Sequence, residues 1–499
     1  MNISSFQSVI EDKSKEMINR RILVDVLKQQ HQHLPFNEKV NENIQLLLND
    51  NTYTVTTAHQ LNILTGPLYI IYKIISTINL AKHINEKYST IKVVPIFWMA
   101  TEDHDFIEIN HINLCEKKIV WNVETDKEGP VGRMNTSNSI QNTIEEIKSV
   151  IGNSENGLRL ISTIEDAYLK STSLAEATRY LLHHLFHDQG LILLDADNHD
   201  LKQNFSKIIL QDILTRQSIY YVNKSNQQMK GHYRTQAKSS EINFFYLLDN
   251  YRVRIVTDGD KFKTFDNKYT FTKEQLKEEI ELYPERFSPN VIMRPLYQEL
   301  LLPNLAYVGG PGELAYWLQL RLLFDFYNVN FPMLVLRNCL LIINEKNFEF
   351  IDKSNISISN LFLPIDELIR KFVIQNSNGQ INLKEEADLM EQSFKQILDK
   401  TVRIDSTLED QIQTEKYKIL ATLKTLERKL LKSQTKIFET EIEQLKKIKE
   451  ELFPSGDLQE RYENFIKHYL YKGNHFIFDL INIMTPLSKT FTIISYKRH

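Results

Sequence analysis

The sequence predicts an α/β protein with an open, mostly parallel sheet, two long insertions and a helical coiled coil. Short apolar runs recur along the chain with helical patterns between them, and most of these runs end in polar residues. Parallel strands need helical crossovers of this kind, and ligands of parallel sheets gather beyond the carboxyl ends of the strands. A long charged stretch with apolar residues at three-four spacing predicts the coiled coil.

The clearest βαβ unit lies between residues 53 and 111. Apolar, β-branched runs at residues 53–58 and 93–100 bracket a predicted helix. Thr65, Gly66 and Pro67 precede this helix as a cap-like hydroxyl, a flexible joint and a first-turn proline. We therefore expect the first-turn amides to point towards His59 and to suit a phosphate or a carboxylate. The apolar residues that recur with helical spacing are Leu68, Ile71, Ile74, Ile75, Ile78 and Leu80.

Further strands are expected at residues 190–195, 304–309 and 331–338, and an antiparallel hairpin at 243–256. The long polar stretches between the core strands exceed ordinary connections and should carry structure of their own. The predicted division of the chain is a core first part at 1–113, a first connective insertion at 114–187, a core strand at 188–200, a second connective insertion at 201–290, a core second part at 291–381, a coiled coil at 382–452 and a C-terminal segment returning to the core at 453–499.

The charged, glycine-free stretch near residues 382–452 predicts two helices with a break near residues 403–407. Its apolar stripe must be buried against a partner, which is a helix folding back, a second subunit or both. We expect a homodimer formed through this coiled coil. The stripe comprises Ile419, Leu423, Leu426, Leu430 and Ile437, and then, after a shift of one residue, Ile442, Leu445, Ile448 and Leu452.

Composition narrows the class of partner. Lys plus Arg number 60 against 64 Asp plus Glu, so no global positive field favours nucleic acid as a partner. No apolar run reaches membrane-spanning length, and the first residues lack the pattern of a signal peptide, so we expect a cytoplasmic protein without membrane contact. Cys115 and Cys339 are too few and too far apart for a disulfide framework or a cysteine-based zinc site.

Four titratable residues, Glu102, Asp103, His104 and Asp105, directly follow the second apolar run, and His111 follows six residues later. Neighbouring carboxylates raise one another's proton affinity, and a histidine between them can act as a base or as an orienting donor. This cluster is a candidate site for a substrate amine or for a phosphate with its metal. Alternatives are a solvated turn and a zinc site made by His104, Asp105 and His111.

A second candidate is the glycine-rich turn that contains Gly309, Gly310 and Gly312. Residues without side chains can bring the backbone close to a ligand. Glu313 and Tyr316, on the helix that follows, would then face the same pocket. A tight turn alone would need fewer glycines.

A binding role and a structural role are both open for His59 and for the pair Asp195 and Asp197. His59 follows a predicted strand and could donate to a phosphate oxygen, although a lone histidine is more often structural. Asp195 and Asp197 could bind ribose hydroxyls or cap the helix that follows them. The sequence favours neither reading of the two aspartates.

Four blocks of residues occur in a fixed order from about residue 50 to the C-terminus. They resemble the bacillithiol-biosynthesis cysteine-adding enzyme (BshC) family, and the second and third blocks are specific to it. The blocks are Thr57-Ala58-His59-Gln60 with Leu64-Thr65-Gly66-Pro67-Leu68-Tyr69; Phe97-Trp98 with Glu102-Asp103-His104-Asp105 and Asn110-His111; Tyr307-Val308-Gly309-Gly310-Pro311-Gly312-Glu313 with Tyr316-Trp317; and Phe453-Pro454-Ser455-Gly456 with Leu458-Gln459-Glu460-Arg461.

The resemblance implies a Rossmann-like core with two connective insertions and a dimerising coiled coil. It also implies a ligase that adds L-cysteine to glucosaminyl-malate as the last step of bacillithiol synthesis. ATP or another nucleotide would activate the cysteine carboxylate, with no metal implied. Asp103, His104 or Asp105 would hold or deprotonate the amine. The alternative is a non-catalytic dimeric ligand-binding or scaffold protein. The implied binding residues are His59, Gln60, Gly66, Glu102, Asn110, His111, Gly309, Gly310, Gly312, Glu313 and Tyr316.

Overall fold

The structure is a computed structural model in which residues 2–123, 129–136, 139–377 and 381–496 are described. The chain divides into two compact units. The larger unit comprises Met1–Cys339 and Glu460–Thr492, and the smaller comprises Leu340–Gln459 and Ile493–His499. The predicted boundaries of the core parts and insertions stay predictions. Among the described residues, no helix combines the length and the apolar character needed to cross a lipid bilayer.

The larger unit alternates helices and strands. Up to Leu336 they are α1 (Phe6–Lys13), α2 (Arg20–His31), α3 (Glu38–Leu46), β1 (Thr52–His59), α4 (Leu68–Lys87), β2 (Lys92–Met99), α5 (Phe106–Ile109), β3 (His111–Leu114), β4 (Lys117–Val120), α6 (Gln141–Ile151), α7 (Glu155–Leu169), α8 (Leu174–Phe186), β5 (Ile192–Asp195), α9 (His199–Gln203), α10 (Ser206–Thr215), α11 (Gln217–Met229), β6 (Phe244–Leu248), β7 (Tyr251–Asp258), β8 (Lys261–Thr264), β9 (Thr270–Phe271), α12 (Lys273–Leu282), β10 (Phe287–Pro289), α13 (Arg294–Leu301), β11 (Asn304–Gly309), α14 (Pro311–Leu318), α15 (Arg321–Tyr327) and β12 (Met333–Leu336).

The remaining elements begin at Cys339. They are β13 (Cys339–Asn344), α16 (Glu345–Lys353), α17 (Ile365–Asn376), α18 (Lys384–Ile404), α19 (Glu409–Ile437), α20 (Glu439–Leu452), α21 (Gln459–Tyr462), α22 (Ile466–Lys472), α23 (His475–Ile483) and β14 (Phe491–Tyr496).

A five-stranded parallel sheet forms the core of the larger unit, in the order β12-β11-β1-β2-β5. All five strands that the sequence predicts are present, and the α/β prediction is confirmed. The register aligns the ends of the strands, since His59 lies opposite Met99 and Met99 lies opposite Asp195. Because every strand runs the same way, the polar segments that follow them meet at one edge of the sheet.

Helix α4 crosses between β1 and β2 as predicted, but its start differs from the prediction. Pro67 occupies the N-cap position, and the Thr65 hydroxyl makes no capping hydrogen bond. The first amide, Leu68 N–H, donates instead to the carbonyl oxygen of Glu463, and the Asn464 carboxamide donates to Gly66 O at 2.7 Å. The chain itself therefore closes this end of the helix, because a buried amide must find an acceptor.

The predicted hairpin is confirmed as β6 and β7, which pair antiparallel. It belongs to a second five-stranded sheet with the order β10-β6-β7-β8-β9. Alternation of apolar and polar residues on these strands places one face against the core, as Phe244, Tyr246 and Ile255 show by their burial. This sheet supplies one wall of the cavity described below.

In the smaller unit, α18 and α19 pack against each other as a helical hairpin. The predicted break is confirmed, since α18 ends at Ile404 and Asp405 adopts an extended conformation. Leu445 and Ile448 on α20 are buried, whereas Leu426 and Leu430 on α19 are 45% and 40% exposed. Strand β14 pairs with β13 rather than with the parallel sheet.

Candidate active site

A cavity of about 430 Å³ opens at the carboxyl edge of the parallel sheet, within the larger unit. Its walls come from the ends of β1 and β2, from the hairpin β6–β7 and from α13 and α14. This is where a doubly wound sheet places its ligands. Six of the residues predicted from the sequence line it together: His59, Gln60, Glu102, Asp103, Glu313 and Tyr316.

The first group of polar side chains, the Glu313 group, comprises Glu313, Lys73, Tyr307 and His59. Lys73 is fully buried on α4, and its Nζ donates to both carboxylate oxygens of Glu313 at 2.8 Å and to the carbonyl oxygen of Ala58. The Tyr307 hydroxyl donates to the same carboxylate at 2.6 Å. Burial alone would raise the pKa of Glu313, but the charge and hydrogen bonds of Lys73 lower that pKa to about 2. Glu313 is therefore an anion at neutral pH.

His59 completes this group as a neutral imidazole. Its Nε2 lies 2.9 Å from the Tyr69 hydroxyl, and its Nδ1 lies 3.2 Å from the carbonyl oxygen of Gln60. A carbonyl can only accept, so Nδ1 carries the hydrogen and Nε2 accepts from Tyr69. Burial, aided by the charge of Lys73, lowers the pKa of His59 to about 4. His59 is therefore a hydrogen-bonding residue rather than a cation at neutral pH.

The second group, the Asp103 group, comprises Asp103, Glu102, His104 and Arg252. The Asp103 carboxylate accepts from Gln60 Nε2 at 2.7 Å and from the His104 amide at 2.8 Å, with Arg252 Nη1 at 3.8 Å. Burial opposes ionisation, but these hydrogen bonds and the Arg252 charge hold the pKa of Asp103 well below its usual range. Asp103 is thus a fixed negative charge facing the cavity.

Glu102 differs from its neighbour Asp103 in environment. Its carboxylate pairs with Lys202, which is fully buried on α9 and also donates to the Phe287 carbonyl oxygen at 3.1 Å. Burial raises the pKa of Glu102, and the Lys202 charge opposes that rise. Of the two adjacent carboxylates, Glu102 is therefore the better proton acceptor.

His104 and Arg252 lie side by side, and their contact fixes the histidine tautomer. Arg252 Nη1 is 2.7 Å from His104 Nδ1, and its guanidinium lies 4.1 Å from the centre of the Phe245 ring. Because a guanidinium has only donors, Nδ1 of a neutral His104 must accept, which leaves the hydrogen on Nε2. In this arrangement His104 can donate to a ligand but cannot take a proton from one without losing the Arg252 contact.

The aspartates at the end of β5 are held by the chain itself. Asp195 accepts from the Thr101 hydroxyl and from the Asp197 amide, and Asp197 receives two hydrogen bonds from Arg133 at 2.8 and 2.9 Å. Asn198 caps α9, so the capping alternative for Asp195 and Asp197 is wrong. Asp197 lines the cavity, but its side chain is only 4% exposed and is paired with Arg133, and its ribose-binding role stays a prediction.

The remaining predicted residues lie outside the cavity wall. Asn110 donates to the Trp121 carbonyl oxygen at 3.2 Å, and His111 lies beside Asn110 at the start of β3. Asp105 is the residue before α5, and its side chain makes no capping hydrogen bond. His104 does not itself line the cavity but contacts the wall residues Asp103, Phe245 and Arg252. Their roles as binding or catalytic residues stay predictions.

The predicted glycines also lie behind the wall. Gly66 has φ of 63°, and an added Cβ would lie 2.6 Å from the Asn62 side chain. At Gly309 an added Cβ would come within 3.0 Å of Tyr307 and Leu314. The Gly310 amide donates to Glu313, and an added Cβ at Gly312 would meet only Gln236 at 3.8 Å. Close packing accounts for Gly66 and Gly309 without a ligand.

The zinc alternative is not supported by the geometry. The described residues contain no group of three or more histidine, cysteine, aspartate or glutamate side chains that could hold a metal ion. His104 directs Nδ1 at Arg252, while His111 lies beside Asn110. The two histidines therefore do not converge with Asp105.

Charged residues around the cavity that were not predicted from the sequence include Lys73, Arg252 and Arg294. Lys73 could have been found, because it is a charged residue inside the apolar helical pattern of residues 68–80. Arg252 sits in an alternating strand, where an exposed arginine is the ordinary reading. Arg294 carries no sequence signal beyond its neighbours, because its place at the cavity depends on residues that the fold brings together.

Comparison with known proteins adds an independent observation. Residues 1–338 match the family described as "Bacillithiol biosynthesis BshC, N-terminal Rossmann-like domain", and residues 340–496 match "Bacillithiol biosynthesis BshC, C-terminal coiled-coil domain". The Rossmann-like and coiled-coil predictions are thereby confirmed.

Similar full-length relatives carry one name, "Putative cysteine ligase BshC". The relative from Flavobacterium johnsoniae is 39% identical over 99% of this chain and 93% of its own length. Those from Flavobacterium psychrophilum and Bacillus anthracis are 39% and 30% identical, over 99% and 96% of this chain and 93% and 90% of their own lengths. With both domains matched in order and relatives aligned over nearly their whole lengths, the chain belongs to the BshC family of bacillithiol biosynthesis.

Proposed function

We propose that this protein is a ligase that joins the carboxyl group of L-cysteine to the amine of glucosaminyl-malate, as the last step of bacillithiol synthesis. Family membership and the name cysteine ligase given to the relatives support the reaction class. The observation that carries the proposal is the convergence of His59, Asp103 and Glu313 on one cavity, from segments far apart in the chain.

The Asp103 group suits the amine substrate. Asp103 is ionised and rigidly held by Gln60 and the His104 amide, so it can bind an ammonium group in a fixed position. Glu102, with the higher proton affinity, would take the proton that the amine must lose. The nitrogen then bonds to the cysteine carbonyl carbon, and the activating group leaves with its electron pair.

A free carboxylate does not form an amide with an amine in water unless it is activated, and we propose that ATP or another nucleotide supplies the activation. The helix start after Gly66, which was expected to hold phosphate, does not present a free first amide, because Leu68 N–H donates to Glu463 O. The Gly310 amide in the glycine-rich turn likewise donates to Glu313. The phosphate contact expected of the amides after Gly66 therefore does not fit this arrangement, and no step is assigned to it. The binding roles of Gly309, Gly310 and Gly312 stay predictions.

The test is a reaction with the purified full-length protein. Cysteine, glucosaminyl-malate and one of several nucleoside triphosphates are incubated with the enzyme, and the product mass is measured. Formation of the cysteinyl amide, with matched nucleotide cleavage, is the expected result. Binding of the substrates without product under any nucleotide would contradict the ligase and favour the ligand-binding alternative. We propose that the reaction takes place in the cytoplasm.

We further infer a homodimer through the helical hairpin of α18 and α19. The hairpin leaves apolar side chains uncovered, among them Leu389 at 63% exposure, Leu426 at 45% and Ile437 at 67%. A stripe of this length needs a partner surface. The test is sedimentation velocity on Leu426→Glu combined with Leu430→Glu, with Leu158→Glu, an exposed leucine on α7, as the control. A variant that sediments like the wild type would contradict the inference.

A further inference from the structure

Arg294, the first residue of α13, is the starting point of an inference about substrate choice. It lines the cavity, and its guanidinium lies between three aromatic rings, 5.9 Å from the centre of Trp98, 5.8 Å from Tyr307 and 5.9 Å from Trp317. Nη1 donates to the Gln298 side chain at 2.9 Å. These contacts fix the guanidinium plane at the cavity wall.

Arg294 differs from the other cations near the cavity in having no carboxylate partner. Lys73 pairs with Glu313, Lys202 with Glu102 and Arg252 with Asp103, whereas no carboxylate among the described residues forms an ion pair with Arg294. Its Nη2 is buried and makes no hydrogen bond with a described residue. Tyr316 is a hydrogen-bonding neighbour of the guanidinium, and the charge of Glu313 acts on it without forming an ion pair.

A buried guanidinium without a counter-ion is costly, because water no longer solvates it and no protein anion replaces the water. A charged side chain of this kind in a cleft is a candidate for ligand binding. Arg294 lines the cavity, so an anionic group of a bound ligand can supply the missing negative charge.

Building on the proposed function, we propose that Arg294 binds a carboxylate of the malyl group and so selects an amine substrate that bears one. The malyl carboxylates keep their charge throughout the reaction, whereas the cysteine carboxylate loses its charge when the amide forms. A guanidinium that stays paired from substrate to product suits the malyl group. The amine of the same molecule then reaches Asp103 within the same cavity.

A nucleotide phosphate is a poorer match for Arg294. Phosphate sites usually combine several backbone amides, often from glycines, with a cation. No glycine is among the residues that line this cavity, and the neighbours of Arg294 are aromatic rings. A planar guanidinium matches the planar oxygens of a carboxylate.

The test measures ligand preference by calorimetry, without turnover. Glucosaminyl-malate is compared with methyl glucosaminide, which carries the same amine sugar and no carboxylate. The wild type should bind the malate-bearing ligand about 30-fold more tightly, the ratio typical of one charge-assisted contact. Arg294→Gln should reduce this preference to within about 3-fold and leave the affinity for methyl glucosaminide unchanged. Arg294→Lys should retain part of the preference.

Two further measurements keep the inference falsifiable. If Arg294→Gln does not fold, the wild type is titrated with glucosaminyl-malate whose carboxylates are converted to amides, and an undiminished affinity would overturn the inference. If Arg294→Gln instead weakens binding of cysteine or of a nucleotide, the anion is another one and the inference fails. Absence of ligation with the ligand preference intact would refute the proposed reaction but not the role of Arg294.

Discussion

The Glu313 group and the Asp103 group place carboxylates in one cavity but are built in different ways. Glu313 is held by Lys73 and Tyr307, which come from α4 and β11 of the core sheet layer. Asp103 and its neighbour Glu102 depend on Arg252 from β7 and Lys202 from α9, which lie between the core strands β5 and β11. Elements of the core therefore hold the Glu313 carboxylate in place, whereas segments inserted between core strands hold the carboxylates of Asp103 and Glu102.

The largest expected effect is on stability, from Lys73→Met. The change leaves the Glu313 carboxylate without its cation, and breaking a buried pair in this way typically costs about 3 kcal/mol of unfolding free energy. Urea denaturation measures the loss. Lys82→Met, an exposed lysine on the same helix, is the control and should change the unfolding free energy by less than about 0.5 kcal/mol. Equal losses in the two variants would show that the Glu313 group is not held by the ion pair.

The next effect falls on activity, from Asp103→Asn. Without the negative charge the amine substrate loses its fixed partner, so kcat/KM in the ligation assay should fall about 100-fold while the unfolding midpoint changes little. Asp105→Asn provides the comparison, because Asp105 is adjacent in sequence but does not line the cavity. A greater loss of kcat/KM from Asp105→Asn than from Asp103→Asn would mean that the amine binds outside this cavity.

Acidification should affect the Glu313 group before the Asp103 carboxylate. The pKa of His59 is about 4 in the folded protein against 6.5 in the unfolded chain, so the unfolded chain takes up a proton first and stability falls as the pH drops from 6.5 towards 4. His59→Asn should remove about 2 kcal/mol of the stability loss between pH 7 and pH 5.

The control for this pH series is His199→Asn, an exposed histidine on α9. Thermal or urea unfolding at each pH gives the slope. A slope that is the same in His59→Asn and in the wild type would mean that His59 is not kept neutral by its surroundings.

The smallest expected effect concerns Arg133, which donates two hydrogen bonds to Asp197 at the edge of the cavity. Arg133→Gln removes two hydrogen bonds to a nearly buried carboxylate and should cost about 1 kcal/mol of unfolding free energy. Arg159→Gln, which breaks a surface pair with Glu155, should cost less than about 0.5 kcal/mol. If the two losses are equal, Asp197 is as well solvated as a surface group.

Most of the fold could be predicted from the sequence, because apolar runs and helical spacing are local signals. The five core strands, the crossover helix and the helical hairpin followed from them. The start of α4 could not be predicted, since the groups that close it, at Glu463 and Asn464, lie about 400 residues away in sequence. The pattern Thr65-Gly66-Pro67 suggested a local cap that the structure replaces with a distant one.

The site was predicted in part for the same physical reason. Glu102, Asp103 and Glu313 follow strands directly, so their common edge could be inferred from the parallel order. Their partners could not, because Lys73 and Glu313 are 240 residues apart and Arg252 and His104 are 148 apart. The role of Gly309, Gly310 and Gly312 could not be predicted from the sequence pattern, because close packing and the approach of a ligand both require a residue without a side chain.

The position of β1 between β2 and β11 has a consequence for the newly made chain. The hydroxyls of Thr54 and Thr56 donate to the side chain of Asn304, which lies some 250 residues later in the chain. Until that segment is synthesised, the edge of β1 that pairs with β11 has no partner strand. A message truncated before residue 304 would therefore yield an open, self-associating edge rather than a partly working enzyme. Ribosome-bound intermediates of this protein should be clients of chaperones that shield unpaired strands.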